Sequence, residues 1–114
     1  ALGRQGEARG LWQRALAIFE RELGPEHFEV AKLLNNLGST LLALGGAPEA
    51  RDCLERSLSM MEREQGRKHL EVASVLTNLA EALGALGGNG RARELLEEAL
   101  SVKEQALGSE HPRT

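Results

Sequence analysis

The chain has little of what catalytic and extracellular proteins are commonly built around. It contains no tyrosine, one tryptophan and two phenylalanines, and its single cysteine, Cys53, has no second thiol for an internal disulfide. With no Asn-x-Ser/Thr acceptor either, nothing points to an oxidising, secreted setting, and a cytoplasmic location is expected. Long hydrophobic runs are also missing. Stretches such as Leu41 to Leu44 fall far short of the roughly 20 residues that cross a bilayer, and the first residues show no charged-then-apolar targeting pattern. There is no excess of positive charge: 14 Lys and Arg stand against 17 Asp and Glu, a net charge of -3. Phosphate-rich partners require clustered cations, so neither nucleic acid nor an anionic membrane surface is an expected partner. A hydrophobic fraction of 41% lifts the chain out of the disordered regime, so it should fold as one small domain over residues 1–114.

What the sequence does have is a repeat. His27, His69 and His111 lie 42 residues apart, and a shift by that period aligns Gly3, Gly45 and Gly87 without a gap. The same shift aligns Ala8/Ala50/Ala92, Arg9/Arg51/Arg93, Leu16/Leu58/Leu100, Gly24/Gly66/Gly108, Leu34/Leu76, Asn36/Asn78, Leu37/Leu79 and Leu41/Leu83. Within a unit the apolar residues recur every three or four positions, as in Val30, Leu34, Leu37, Leu41 and Leu44, which is one stripe of a helix. A second stripe, Ala50, Leu54, Ser57, Leu58 and Met61, follows the breaker Gly45-Gly46-Ala47-Pro48, and Pro48 suits a first helical turn. Glycine at 24, 66 and 108 can take the left-handed conformation that ends a helix, and Pro25 prevents continuation. Beta-branched runs and period-two alternation are absent, so strands are not expected. The chain is read as all-α, with helices at about 5–23, 27–44, 48–65, 69–86 and 90–107. The repeat units fall at about 25–66 and 67–108, flanked by partial units at about 1–24 and 109–114, as expected of a piece of a longer array.

The string Val30-Ala31-Lys32-Leu33-Leu34-Asn35-Asn36-Leu37-Gly38 and the linker Leu23-Gly24-Pro25-Glu26-His27 resemble the kinesin light chain type of tetratricopeptide repeat. Val72 to Ala80 repeats the string imperfectly, and the small residues Gly38/Ala80, Ala50/Ala92 and Ala15/Ser57/Ala99 sit where such helices pack closely. The resemblance implies a right-handed α-α superhelix, a solenoid of helical hairpins whose first helices line a concave groove and whose second helices form the convex back. Carried over by position, the groove set is Lys32, Asn35, Asn36 and Ser39 in one unit and Ser74, Thr77, Asn78 and Glu81 in the next. In kinesin light chains such grooves hold extended cargo peptides. In related clamps an asparagine at the position of Asn36 and Asn78 hydrogen-bonds the peptide, a role suited to an amide that both donates and accepts. The sequence departs from the pattern in placing Leu41 and Leu83 where tyrosine is frequent. Its groove is also mixed in charge, with Lys32 opposed by Glu81.

Sharper chemistry finds little support. Equivalent histidines in a solenoid stand a whole hairpin apart, more than the roughly 8–10 Å between packed helices, so the three cannot share a metal ion. The run Gly84-Ala85-Leu86-Gly87-Gly88-Asn89-Gly90 lacks the Gly-Lys-Ser/Thr of a phosphate loop and reads as a turn. Cys53 aligns with Leu11 and Leu95 and reads as a small apolar residue rather than a nucleophile. Trp12 aligns with Leu54 and Leu96 and reads as a packing residue. Asn36 and Asn78 stay open between ligand binding and capping of neighbouring backbone. No catalytic constellation, metal site or cofactor is expected. The function read from the sequence is a protein-protein interaction module that binds a peptide or partner protein in its groove, in a scaffold or adaptor role. The alternative is a structural spacer within a larger regulatory protein. Apolar faces at the truncated ends are further expected to promote self-association, with the last helix of one chain against the first of another.

Overall fold

A computed structural model describes residues 2–25, 27–65 and 70–107. Five helices follow in order: α1 (Leu2–Leu23), α2 (Phe28–Ala43), α3 (Ala47–Gln65), α4 (Leu70–Ala85) and α5 (Asn89–Leu107). The described residues contain no strand. Gly66, His69, Gly108 and His111, four of the residues that mark the repeat, lie outside the described residues.

The turns inside the two hairpins are built alike. Gly45 and Gly87 take φ of 84° and 90°, which a side chain would resist. In the first turn Gly46 N–H donates to Leu41 O at 2.8 Å and Gly45 N–H to Leu42 O at 3.0 Å. In the second, Gly88 N–H donates to Leu83 O at 2.7 Å and Gly87 N–H to Gly84 O at 3.1 Å. This paired closure satisfies carbonyls that a helix end otherwise leaves open. Between α1 and α2, Gly24 (φ 95°) ends one helix. His27 then begins the next, its Nδ1 accepting from Glu29 N–H at 3.0 Å. This histidine is occupied as a helix cap, in the place usually taken by Ser, Thr, Asp or Asn.

The apolar stripes close into one core. Val30, Ala31, Leu34, Leu37 and Leu41 of α2 are buried with Ala50, Leu54, Leu58, Met60 and Met61 of α3 and with Val72, Val75, Leu76 and Leu79 of α4. Trp12 and Leu16 of α1 and Cys53 of α3 are partly buried against the same core. The closest approach is at Gly38, where an added Cβ would lie 2.6 Å from Leu54 Cγ. Leu54 therefore rests directly on the α2 backbone, in a slot only glycine leaves open. Ser57, fully buried, donates its hydroxyl to Ala31 O at 2.7 Å, so this buried polar side chain is satisfied across the hairpin.

Each helix packs on its sequence neighbour, and α2 also packs on α4. Among the described residues the backbones of α1 and α3 stay apart, linked through the ion pairs Arg9–Glu49 and Arg56–Glu20, and those of α3 and α5 stay apart as well. First helices whose backbones meet, with second helices whose backbones do not, bend the stack toward the α2–α4 side. That side is the concave one. The radius of gyration, 14.9 Å, exceeds the roughly 13 Å of a compact chain of this length, and the extents of 48 × 34 × 22 Å describe an elongated body.

Candidate functional site

The concave side is formed where α2 and α4 meet over the end of α3. Lys32 Nζ lies 3.4 Å from Glu29 Oε2, one helical turn back, and 5.7 Å from the centroid of the Phe28 ring. These contacts keep the ammonium on the groove wall, and at this exposure the ion pair is worth under about 1 kcal/mol. Asn35, three residues further along, is held by the neighbouring repeat. Its Oδ1 accepts from Asn78 Nδ2 at 2.9 Å and its Nδ2 donates to Ser74 Oγ at 3.2 Å. The two first helices are thus joined by a polar triad across the groove floor.

Beside this triad lies a cavity of about 210 Å³ lined by Lys32, Asn35, Asn36, Met61, Glu71 and Ser74. Four of the eight residues read from the sequence, Lys32, Asn35, Asn36 and Ser74, border it. The other four are placed differently. Asn78 joins the floor through Asn35, and Thr77 spends its hydroxyl on Ala73 O at 2.9 Å within α4. Ser39 and Glu81 are exposed and do not line the cavity. The acidic groups near Lys32 are therefore Glu29 and Glu71 rather than Glu81. Glu81 stands ten residues along α4 from Glu71, roughly 15 Å at 1.5 Å per residue.

Two lining residues escape the sequence reading. Met61 belongs to the stripe of a second helix and reads as core, which at 1% exposure it also is, while still forming part of the cavity wall. Glu71 lies one turn before Ser74 on the same face of α4, and that three-residue spacing is the signal that could have found it.

The structure also separates the two equivalent asparagines. Asn78 is half-buried and bonded to Asn35, whereas Asn36 is exposed and its side chain makes no hydrogen bond among the described residues. One is a strut between repeats; the other presents its amide to the groove. Cys53 is half-buried, and burial, followed by the charges of Asp52 and Glu49, raises its pKa and keeps the thiol protonated. A protonated thiol is a poor nucleophile.

Helical hairpins in tandem, with a groove on the first-helix side, define a helical-repeat solenoid. The tetratricopeptide repeat family matches residues 1–63 and again 29–105, and the chain belongs to that family. Such repeats generally mediate protein-protein interactions and are typically non-catalytic. A comparison with curated proteins gives no match. Among solved structures, the crystal structure of BtubC (BKLC) from P. vanneervenii is similar in fold, with a TM-score of 0.61 at 19% identity. The alignment covers 98% of this chain and 61% of that one, so the chain spans under two thirds of that protein's length. No helix among the described residues is long and apolar enough to cross a membrane.

Proposed function

We propose that this chain is a protein-binding module of the kinesin light chain type, composed of the repeat units 25–66 and 67–108 with partial units on either side. Its concave groove takes a segment of a partner protein, in a scaffold or adaptor role. The supporting observation is the convergence of Lys32, Asn35 and Asn36 from α2 with Glu71 and Ser74 from α4 around one cavity. Asn36 is the group that reads the ligand backbone, since its amide donates and accepts and is not engaged by the neighbouring repeat. Lys32 supplies a cation for an acidic or carbonyl group. Ser39, Thr77 and Glu81 extend the same face along the helices, and Asn78 holds Asn35 in position. With Lys32 and Glu71 both on the wall, the groove suits a segment of mixed charge better than a uniformly acidic one.

The test is a peptide selected from a random library against the full chain and mapped by NMR. Shifts should concentrate on Lys32, Asn36 and Ser74. Asn36→Ala should weaken binding about tenfold, equivalent to about 1.4 kcal/mol, with no change in stability. Asn78→Ala should instead lower stability by about 1 kcal/mol. Shifts confined to α1 or α5 would count against the groove and favour the spacer reading. That second reading has its own support in the exposed apolar residues of α1 and α5, Leu11, Ile18, Leu96 and Leu100 among them.

A further inference from the structure

Ser74 and Asn78 stand four residues apart on α4, so their side chains lie on one face of that helix. Asn35 of α2 reaches both, and the hydrogen bonds among the three run in one direction. Asn78 Nδ2 donates to Asn35 Oδ1 at 2.9 Å, and Asn35 Nδ2 donates to Ser74 Oγ at 3.2 Å. An asparagine amide has a donor end and an acceptor end, so the end that Asn78 takes decides which end Asn35 shows to Ser74. Here Ser74 is shown the donor. Its oxygen accepts, and its own proton is left for a partner that it does not meet among the described residues. Thr77, one place before Asn78, is the contrast: its hydroxyl donates to Ala73 O at 2.9 Å within α4 and is occupied.

Ser74 and Asn35 both border the cavity of about 210 Å³. The relay therefore ends there as a donor, and each link polarises the next, which strengthens the last proton as a donor. Lys32 and Asn36 add N–H groups to the same wall. Lys32 is already paired with Glu29 at 3.4 Å, and Glu71 contributes a carboxylate to the lining. A wall of donors that also holds a carboxylate favours an uncharged acceptor over an anion.

We infer that the cavity is a subsite for a neutral amide carbonyl of the ligand, held by the Ser74 hydroxyl, and that Asn78 sets this preference without touching the ligand. Ser74 is the specificity-determining donor. Asn78 is a positioning residue that acts through Asn35. The inference rests on the groove being the binding face and deepens that reading by naming the group the cavity takes. It also makes the preference reversible, since turning the Asn35 amide around would leave Ser74 with only lone pairs to offer.

Two NMR measurements on the full chain test this, and the first needs no ligand. Scalar coupling across a hydrogen bond links the donor nitrogen to the acceptor's carbonyl carbon, so it is expected between Asn78 Nδ2 and Asn35 Cγ. Coupling between Asn35 Nδ2 and Asn78 Cγ instead means that the relay runs the other way and overturns the inference. The second measurement follows shifts at Ser74 and Asn35 with three probes: N,N-dimethylacetamide, a carbonyl with no N–H; acetate, a charged acceptor; and methylammonium, a donor alone. Dimethylacetamide should give the largest response, and Ser74→Ala should weaken it about fivefold, the loss of one neutral hydrogen bond. Asn78→Asp puts an acceptor of the same shape at the head of the relay, so Asn35 must turn its Nδ2 toward residue 78 and its Oδ1 toward Ser74. Preference should then pass to methylammonium and remain there in about 0.5 M salt, where the added charge is screened. An unchanged dimethylacetamide response in Ser74→Ala, or a larger response to acetate in the parent chain, overturns the inference. A library peptide bound outside the groove of a chain whose cavity still selects dimethylacetamide would refute the proposed function and leave the subsite standing. A peptide in the groove together with the reversed coupling would do the opposite.

Discussion

The two complete hairpins, α2–α3 and α4–α5, fill the same slots 42 residues apart and yet close differently. In the first, Ala31 O accepts a hydrogen bond from Ser57 of the opposite helix. In the second, the equivalent Ala73 O accepts from Thr77 of its own helix, and Ala99 stands where Ser57 would be. Gly38 lets Leu54 press onto α2, whereas Ala80 fills the same slot in α4 and Leu96 is left 48% exposed. On the convex side, Arg9 pairs with Glu49 at 2.8 Å and Arg56 with Glu20 at 2.6 Å, tying α1 to α3. The slots 42 residues on carry Arg51 with Arg91 and Glu62 with Glu98, like charges in place of opposite ones, and Arg51 turns to Asp52 at 3.4 Å. The period sets where the helices lie. Whether a link crosses between helices or stays within one is decided by single substitutions against that period.

The strongest way to break this comparison is at Leu54 and Leu96. Leu54→Ala should cost about 2–5 kcal/mol, since it empties a fully enclosed site, while Leu96→Ala should cost under about 1.5 kcal/mol. Urea denaturation of both variants measures this, and equal losses would show that the two slots are energetically alike. A smaller effect is expected at Gly38. Gly38→Ala gains about 1 kcal/mol of helix propensity but forces Leu54 aside, which costs about 1–3 kcal/mol, so a net loss near 1 kcal/mol is expected. In a Leu54→Ala background the same change should become stabilising, and a double-mutant cycle reads that reversal directly. The smallest effect is Arg91→Glu, which recreates at Arg51 the pairing seen between Arg9 and Glu49. It should add no more than about 0.5 kcal/mol and lose that gain in 1 M salt.

Helix placement was highly legible in the sequence because it depends on periodicity and on Gly and Pro punctuation, both local signals. The expected helices at about 27–44 and 48–65 are observed as Phe28–Ala43 and Ala47–Gln65, with Pro48 in the first turn of α3. The groove was less legible, and the reason is geometric. Aligning by the period pairs Asn36 with Asn78, but the residues that touch are Asn35 and Asn78, 43 apart. That offset arises from the rotation of one hairpin relative to the next, which no single helix encodes. Met61 and Glu71 were missed for a related reason, since a cavity between repeats is lined by whatever the packing angle brings forward. Lys32, Asn36 and Ser74 could be found because they point away from the apolar stripe, and that direction is a property of their own helix.

Among the described residues backbone packing is restricted to neighbouring helices, with α2 on α4 the one exception, and this also sets the order in which the chain comes apart. Almost every contact closes a short loop, so folding should be fast for a chain of this length and should spread along the stack from either hairpin. By backbone packing α1 rests on α2 alone and α5 on α4 alone, while α2, α3 and α4 are each held from two sides or more. Backbone amides should therefore exchange with solvent soonest in the outer helices and last in α2, α3 and α4, giving a gradient of protection in place of a single opening event. Under a pulling force the same chain would peel one helix at a time from its edges. The groove between α2 and α4 would keep its shape until both outer helices had been lost.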